Sequence, residues 1–224
     1  MELLSQPRDG ELIDATSTMY PSRLVAVRGR REFGPSTSTF FGYVVGGSGR
    51  LQAGSFEMSL QPETFFCVPG PALVEIDGLA VVIERLGYRG IPTAGLIEAR
   101  GRLTYIDGCS DTILVSPPRL GDPVFNFLHF PPGIQQTVHS HPSIRLGVVA
   151  RGEGHAFGPA QGSNPAWEIP LRPGAVFLLH PHEMHAFRTT ASGQAMDVIA
   201  YHPDSDWGPT DAVHPMLNRT YRGM

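Results

Sequence analysis

The sequence predicts an all-β protein built from two similar β-modules, and three observations support this class. Short apolar segments bounded by turn-forming residues recur along the 224 residues, which include 26 glycines and 21 prolines. This composition suits many tight turns between short strands. No amphipathic segment of convincing helical length is present. Two pairs of segments also match each other in the same order, so we expect the strands to form a duplicated unit.

The internal repeat has two parts. Residues 40–49 (FFGYVVGGSG) match residues 145–154 (RLGVVARGEG), because each is an apolar strand with glycine at the third position and a following Gly-x-Gly turn. Residues 60–69 (LQPETFFCVP) match residues 171–180 (LRPGAVFLLH), because each has Leu-x-Pro before an apolar strand. The shared order predicts two modules of similar topology.

Composition narrows the classes of function. Hydrophobic residues make up 41% and charged residues 17%, as in ordinary globular proteins. A net charge of −4 without a basic cluster predicts no nucleic-acid partner. The apolar runs are too short to cross a bilayer and the charged N-terminus is unlike a signal peptide, so we expect no membrane association. With only Cys67 and Cys109 present, a reducing cytoplasm is the expected location.

A histidine pair and a later histidine indicate a metal site. His139 and His141 are two residues apart, so on a strand both project from the same face. His185 follows later in the chain, after the apolar segment at residues 175–179. Imidazole suits zinc, copper, iron and nickel, and three protein ligands leave positions open for water or substrate.

These residues give the second module a resemblance to the cupin superfamily. The first cupin motif runs Gly, five residues, His-x-His, three or four residues, Glu, six residues, Gly, and the second ends in a further His. The matching positions here are Gly133, His139, His141, Gly152, Gly174 and His185. The resemblance implies a bicupin, in which duplication has produced two antiparallel jelly-roll barrels. The expected bounds are residues 1–95, 96–206 and a C-terminal tail, 207–224.

Two departures from the cupin pattern refine this expectation. In the first module, the register places Gly34, Ser36 and Val74 where the histidines would lie, so that barrel is predicted to hold no metal. In the second, Arg145 stands where the family has its acidic ligand, and a guanidinium cannot coordinate a cation. The resemblance therefore implies a three-histidine site of the kind found in some cupin dioxygenases. One divalent metal is expected, with Fe(II) favoured and Zn, Ni or Mn as alternatives.

Arg145 is predicted to anchor a substrate. A guanidinium beside a metal in a low-dielectric cavity is costly unless an anion bridges the two cations. A carboxylate, enolate or phosphate could bind the metal and the guanidinium together. The alternative is that Arg145 turns aside and pairs with an acidic residue. The candidates for that role are Glu153, Glu168 and Asp197.

Further site candidates surround the histidines. Tyr201 and His202 are adjacent on one predicted strand, so only one of them can face the site, where it could transfer a proton. Alternation with His139 and His141 favours Gln135 over Gln136 as a polar wall residue, although either could simply be a loop residue. The remaining pocket candidates are His155, His180, His182 and Glu183.

The expected function is that of a cupin metalloprotein, of dioxygenase type, acting on a small anionic substrate. The same site could instead support isomerase or lyase chemistry, in which the metal polarises a carbonyl group. A non-catalytic binder or sensor of a small metabolite is a further alternative. A homodimer is expected as the assembly.

Overall fold

A computed structural model describes residues 1–206 and residue 208, and it confirms the all-β class. The first nine strands are β1 (Glu2–Leu4), β2 (Gly10–Ala15), β3 (Ser22–Phe33), β4 (Thr39–Gly46), β5 (Gly49–Ala53), β6 (Phe56–Leu60), β7 (Thr64–Pro69), β8 (Ala72–Arg85) and β9 (Thr93–Leu96). The next nine are β10 (Leu103–Thr104), β11 (Ser110–Val115), β12 (Val124–Phe130), β13 (Arg145–Arg151), β14 (Gly154–Gly158), β15 (Trp167–Leu171), β16 (Val176–Leu179), β17 (Ala186–Arg188) and β18 (Met196–His202). Within the described residues, helix is limited to one 3-10 turn at Ile106–Gly108, and no helix there is long and apolar enough to span a membrane. The predicted tail, apart from residue 208, lies outside the described residues.

The strands of the described residues form three antiparallel sheets. An eight-stranded sheet has the order β2-β3-β8-β4-β7-β9, with β5 pairing to β8 and β6 pairing to β5. A seven-stranded sheet has the order β1-β16-β13-β18-β12-β11-β10, and a three-stranded sheet has the order β15-β14-β17. All strands of the first sheet come from residues 10–96, whereas β1 joins the sheet formed by the later strands.

Side chains alternate along β13 and β18, so the two faces of these strands contact two different cores. On one side, Leu146 and Tyr201 pack against the eight-stranded sheet, where the Phe41 ring lies 5.1 Å from the Tyr201 ring. On the other side, Val149 and Ala200 face a second core that includes residues of the three-stranded sheet. Because adjacent strand residues point to opposite faces, neighbours in sequence lie in different cores. The metal-site histidines lie on the second side.

A glycine and a phenylalanine fit together between neighbouring strands in each half of the chain. A Cβ atom on Gly147 would lie 2.3 Å from Cζ of Phe177, its partner on β16. A Cβ atom on Gly42 would lie 2.0 Å from Cζ of Phe66, its partner on β7. The glycine at the third position of each repeat is therefore required by close packing of an aromatic ring, rather than by a turn.

Candidate metal centre

Three histidines converge at the open end of the second core. His139, His141 and His185 each present a ring nitrogen, and these nitrogens lie within 4.8 Å of one another. The ring centroids are 4.6 to 5.2 Å apart. The side chain of His185 is buried, while those of His139 and His141 are partly exposed.

Backbone pairing fixes the positions of these histidines. The backbone N–H groups of His139 and His185 donate to each other's carbonyl oxygens at 2.9 Å, which joins the loop before β13 to the start of β17. The His141 carbonyl accepts a hydrogen bond of 2.7 Å from the backbone of His182. The histidines therefore lie on two backbone segments tied together by main-chain bonds, and this arrangement restricts their movement.

Two of the imidazoles are oriented by carbonyl groups. Nδ1 of His139 lies 2.9 Å from the Thr137 carbonyl oxygen, and Nδ1 of His185 lies 2.8 Å from the Glu183 carbonyl oxygen. Because a carbonyl oxygen can only accept, Nδ1 carries the proton in both rings. Each Nε2 therefore has a free lone pair for a metal ion, as is usual for histidine ligands.

Burial keeps the imidazoles of His141 and His185 neutral. It lowers the pKa of His141 to about 3, with a further contribution from the Arg145 charge. It also lowers the pKa of His185 to about 3, with contributions from His139 and Arg145. Only a neutral imidazole can bind a metal, so these rings are already in the ligating form at neutral pH.

The donor set fits a divalent ion. Three imidazoles whose ring nitrogens lie within 4.8 Å of one another suit Fe(II), Zn, Ni and Mn, and they leave other coordination positions for small molecules. His139, His141 and His185 would hold that ion. No other group of three or more potential ligating side chains occurs among residues 1–206 and 208.

The histidines open into a small cavity of about 20 Å³. Most of its walls are apolar, with Leu128, Phe130, Phe177, Leu179, Phe187, Val198 and Ala200 among them. The remaining polar wall residues are Tyr105, Gln136, Arg145 and His202. A few polar groups in an apolar cavity beside a metal site are typical of a small-ligand site.

Arg145 lies in this cavity wall and is only 8% exposed. Its Nη1 donates to the Ser143 carbonyl, the Ser143 hydroxyl and the Ile144 carbonyl, at 3.2, 2.6 and 2.9 Å. Its nearest acidic group is Asp204, with Nη1 and Oδ1 3.7 Å apart. Nε is buried and has no partner among the described residues. The alternative prediction, in which Arg145 pairs with an acidic residue, is therefore wrong about the partner. The acidic neighbour is Asp204 and none of the three predicted residues.

Tyr201 and His202 are separated by strand alternation. His202 lines the cavity, and its ring lies 6.0 Å from that of His141. Burial lowers the pKa of His202 well below its ordinary value, so the ring is neutral. Tyr201 is fully buried on the opposite face of β18, with its hydroxyl 3.4 Å from that of Ser22. This placement removes Tyr201 from the predicted catalytic set.

The expectation for Gln135 is also corrected, because Gln136 faces the cavity. Gln135 forms an isolated bridge with Arg188, and His139 forms one with His185. The two bridges are four residues apart on the segment 135–139 but only three residues apart on the segment 185–188. The extra residue reverses the alternation of side chains between the two bridges. Gln135 is exposed, whereas Gln136 is 3% exposed and accepts a 3.3 Å hydrogen bond from the backbone of Phe187.

Four other predicted pocket residues lie outside the cavity. His155 is on the outer face of β14, with Nε2 3.9 Å from a Glu168 oxygen. His180, His182 and Glu183 line a shallow groove on the outer surface. His180 pairs with Glu2, its Nε2 lying 2.8 Å from a carboxylate oxygen. Glu183 contributes only its carbonyl to the site, through His185, because its carboxylate accepts hydrogen bonds from the His180 backbone and the N-terminal amine.

Tyr105 is a cavity residue that sequence reasoning missed. It precedes the 3-10 turn, in a segment with no strand pattern, and no motif in the sequence marks it. Burial raises the pKa of its hydroxyl to about 12, with the Asp111 charge adding to the effect and the Arg145 charge opposing it. The hydroxyl therefore remains protonated and can donate a hydrogen bond within the cavity.

No family model and no curated protein matches the sequence, but solved structures match the fold. A cupin 2 conserved barrel domain protein from Leptotrichia buccalis has a TM-score of 0.61 and 14% identity, covering 89% of this chain and 88% of that chain. A putative glyoxylate-induced protein from Pseudomonas aeruginosa has a TM-score of 0.65 and 15% identity, covering 87% of this chain and 79% of that chain. Bacillus subtilis oxalate decarboxylase, described as having Mn(II) centres, has a TM-score of 0.56 and 10% identity, covering 93% of this chain and 76% of that chain. The chain therefore has the fold of cupin-domain proteins and carries a three-histidine cluster suited to a divalent metal.

Proposed function

We propose that this protein is a metal-dependent enzyme, of dioxygenase type, that acts on a small carboxylate or enolate. One observation carries the proposal: three clustered imidazoles and a buried guanidinium line the same small, apolar-walled cavity. A metal ion and Arg145 would place two cations together in a medium of low dielectric constant. A substrate anion that contacts both would relieve their repulsion.

The size and chemistry of the cavity favour a short carboxylate. The cavity is small, about 20 Å³, and its guanidinium can bind a carboxylate through two parallel hydrogen bonds. The names of two proteins of similar fold refer to oxalate and glyoxylate, which are both small carboxylates. These names support the substrate class for this chain.

The side chains of the cavity have separate roles in such a reaction. Arg145 binds and orients the carboxylate, and His202 accepts or donates a proton at its ring nitrogen. Phe177 and Phe187 exclude water from the substrate. A bound divalent metal supplies Lewis-acid polarisation and, as iron(II), electrons for reaction with dioxygen.

A redox-neutral lyase or isomerase is the second candidate. The observation that favours it is His202, a partly buried neutral imidazole beside the histidine cluster and in the cavity wall. An imidazole there can move a proton on the substrate without any oxidant. Oxygen consumption distinguishes this candidate from the first.

We also propose that the chain is a bicupin, with modules at residues 1–95 and 96–206 apart from β1, which joins the later sheet. Strand pairing supports this, because β2-β3-β8-β4-β7 and β11-β12-β18-β13-β16 have matching order. The Gly42–Phe66 and Gly147–Phe177 packings occupy equivalent positions in the two series. Each half also has an apolar core of its own, in addition to the core that they share.

The function is tested with protein loaded anaerobically with iron(II). Oxygen uptake and product formation are followed with oxalate, glyoxylate and small keto or hydroxy acids. We expect substrate-dependent oxygen uptake that is lost when iron is removed. Turnover without oxygen uptake would favour the redox-neutral candidate. Binding without turnover of any of these acids would contradict an enzymatic role and favour a binder.

A further inference from the structure

Arg145 is held from one side only. Its hydrogen bonds to described residues all leave from Nη1, whereas Nε makes none although it is buried. The edge formed by Nε and Nη2 is the one through which an arginine can bind a carboxylate side-on. The protein thus restrains the guanidinium without using that edge.

The Ser143 hydroxyl links Arg145 to a carboxylate. Arginine can only donate, so the Ser143 Oγ accepts the 2.6 Å hydrogen bond from Nη1. The Ser143 hydroxyl lies 2.5 Å from Oδ1 of Asp204, and an ionised carboxylate can only accept. The hydroxyl proton must therefore point toward Asp204, which leaves the oxygen lone pairs directed to Arg145.

We propose that Ser143 and Asp204 are positioning residues that fix the Arg145 guanidinium with its Nε edge available to a carboxylate. The inference rests on the proposed function in one respect, namely that an anion binds at this edge. Asp204 acts by orienting the Ser143 hydroxyl. Its distance of 3.7 Å from Nη1 is too long for a hydrogen bond, so charge attraction alone gives it no directional hold on the guanidinium.

The environment of Asp204 supports a positioning role. Its side chain is 21% exposed, which weakens its value as a counter-ion through solvent screening. It also interacts with the Tyr20 hydroxyl, from the segment before β3, and adds to the effect of burial in raising the Tyr20 pKa. Asp204 is therefore restrained by Ser143 on one side and by the first half of the chain on the other.

The test measures the rotation of the Arg145 guanidinium by nitrogen-15 NMR. The Nε–H signal is assigned by its loss in Arg145→Lys, and the Arg151 signal serves as an internal control. Ser143→Ala and Asp204→Ala should accelerate rotation about the Nε–Cζ bond by about tenfold, the effect of losing one charge-assisted hydrogen bond. Asp204→Asn keeps an amide oxygen that accepts from Ser143, so rotation should stay close to the wild-type rate. Equal acceleration in Asp204→Asn and Asp204→Ala, or none in either alanine variant, would overturn the proposal.

Oxalate affinity separates this inference from the proposed function. In metal-loaded protein, Asp204→Ala should weaken oxalate binding by about threefold to thirtyfold while metal content stays unchanged. Wild-type protein that binds no oxalate, with guanidinium rotation still responding as predicted, would refute the substrate class and leave the positioning role supported. Oxalate binding unaffected by Asp204→Ala and Ser143→Ala would refute the positioning role.

Discussion

Arg145 combines near-complete burial of a cation with an unused hydrogen-bonding edge, and both features predict a bound anion. Removing its charge with Arg145→Gln should weaken oxalate binding by about thirtyfold or more, as expected for the loss of a buried charged partner. Metal content should not change, because Arg145 is not a ligand. Arg188→Gln, which alters a surface arginine paired with Glu168, is the matched control. Loss of metal and oxalate to the same degree would count against the anchor role.

His202 and Tyr201 provide a second contrast between single residues. His202→Gln should lower kcat by about a hundredfold, the usual range for a general acid or base. Tyr201→Phe should leave kcat nearly unchanged, since the hydroxyl lies in the other core, against Ser22. Steady-state kinetics on metal-loaded protein make the comparison. A larger loss in Tyr201→Phe than in His202→Gln would show that this assignment is reversed.

At the scale of elements, the pairing of β13 with β16 depends on Gly147. Gly147→Ala would press a methyl group into the Phe177 ring and should lower the free energy of unfolding by about 1–3 kcal/mol. Gly46→Ala is the control, because a Cβ atom there meets nothing within 4 Å. Urea denaturation measures both. The double variant Gly147→Ala/Phe177→Leu should recover part of the loss, and a failure to do so would contradict the packing argument.

The pairing of β11 with β12 places a carboxyl group in an apolar setting. Burial raises the pKa of Asp111 to about 6, although a hydrogen bond from Asn126 opposes the shift. The folded protein therefore binds this proton more tightly than the unfolded chain does. The stability that the proton contributes is complete below about pH 4 and is lost as the pH rises through about 6.

Asp111→Asn should remove this pH dependence. The free energy of unfolding of the variant, relative to the wild type, should therefore increase between about pH 4 and pH 7. Asp14→Asn should change in the opposite direction, because hydrogen bonds from Thr16 lower the pKa of Asp14. Chemical denaturation across this pH range measures both variants. A difference for Asp111→Asn that does not vary with pH would contradict the assignment.

For the whole molecule, the sequence predicted the all-β class from local apolar segments, and it predicted the three-histidine cluster from a histidine pair and the cupin-like spacing of His185. Apolar segments of strand length indicate the strands of the sheets, and ligands two residues apart indicate side chains on one face. The predictions for Gln135 and Tyr201 failed for reasons that local sequence does not contain. An extra residue between two bridges reversed the alternation near Gln136, and the choice of face on β18 depends on which sheet covers it.

Long-range contacts explain what else the sequence could not predict. Asp204 follows β18 in a segment that looks like an ordinary turn, and its role appears only when Ser143 is brought beside it. Tyr105 lies in a segment without a strand pattern, directly before the 3-10 turn, and its side chain lines the cavity. Side chains that act through partners distant in sequence leave no periodic signal.

The metal content of the wild-type protein and of His141→Ala, measured after loading with iron(II) and removal of free metal, tests the account most directly. We predict about one iron per chain in the wild type and almost none in His141→Ala, because two imidazoles hold the ion too weakly. His180→Ala, which alters an exposed histidine paired with Glu2, should retain the metal. A wild-type protein that binds no divalent metal, or a His141→Ala variant that keeps it, would contradict the central claim.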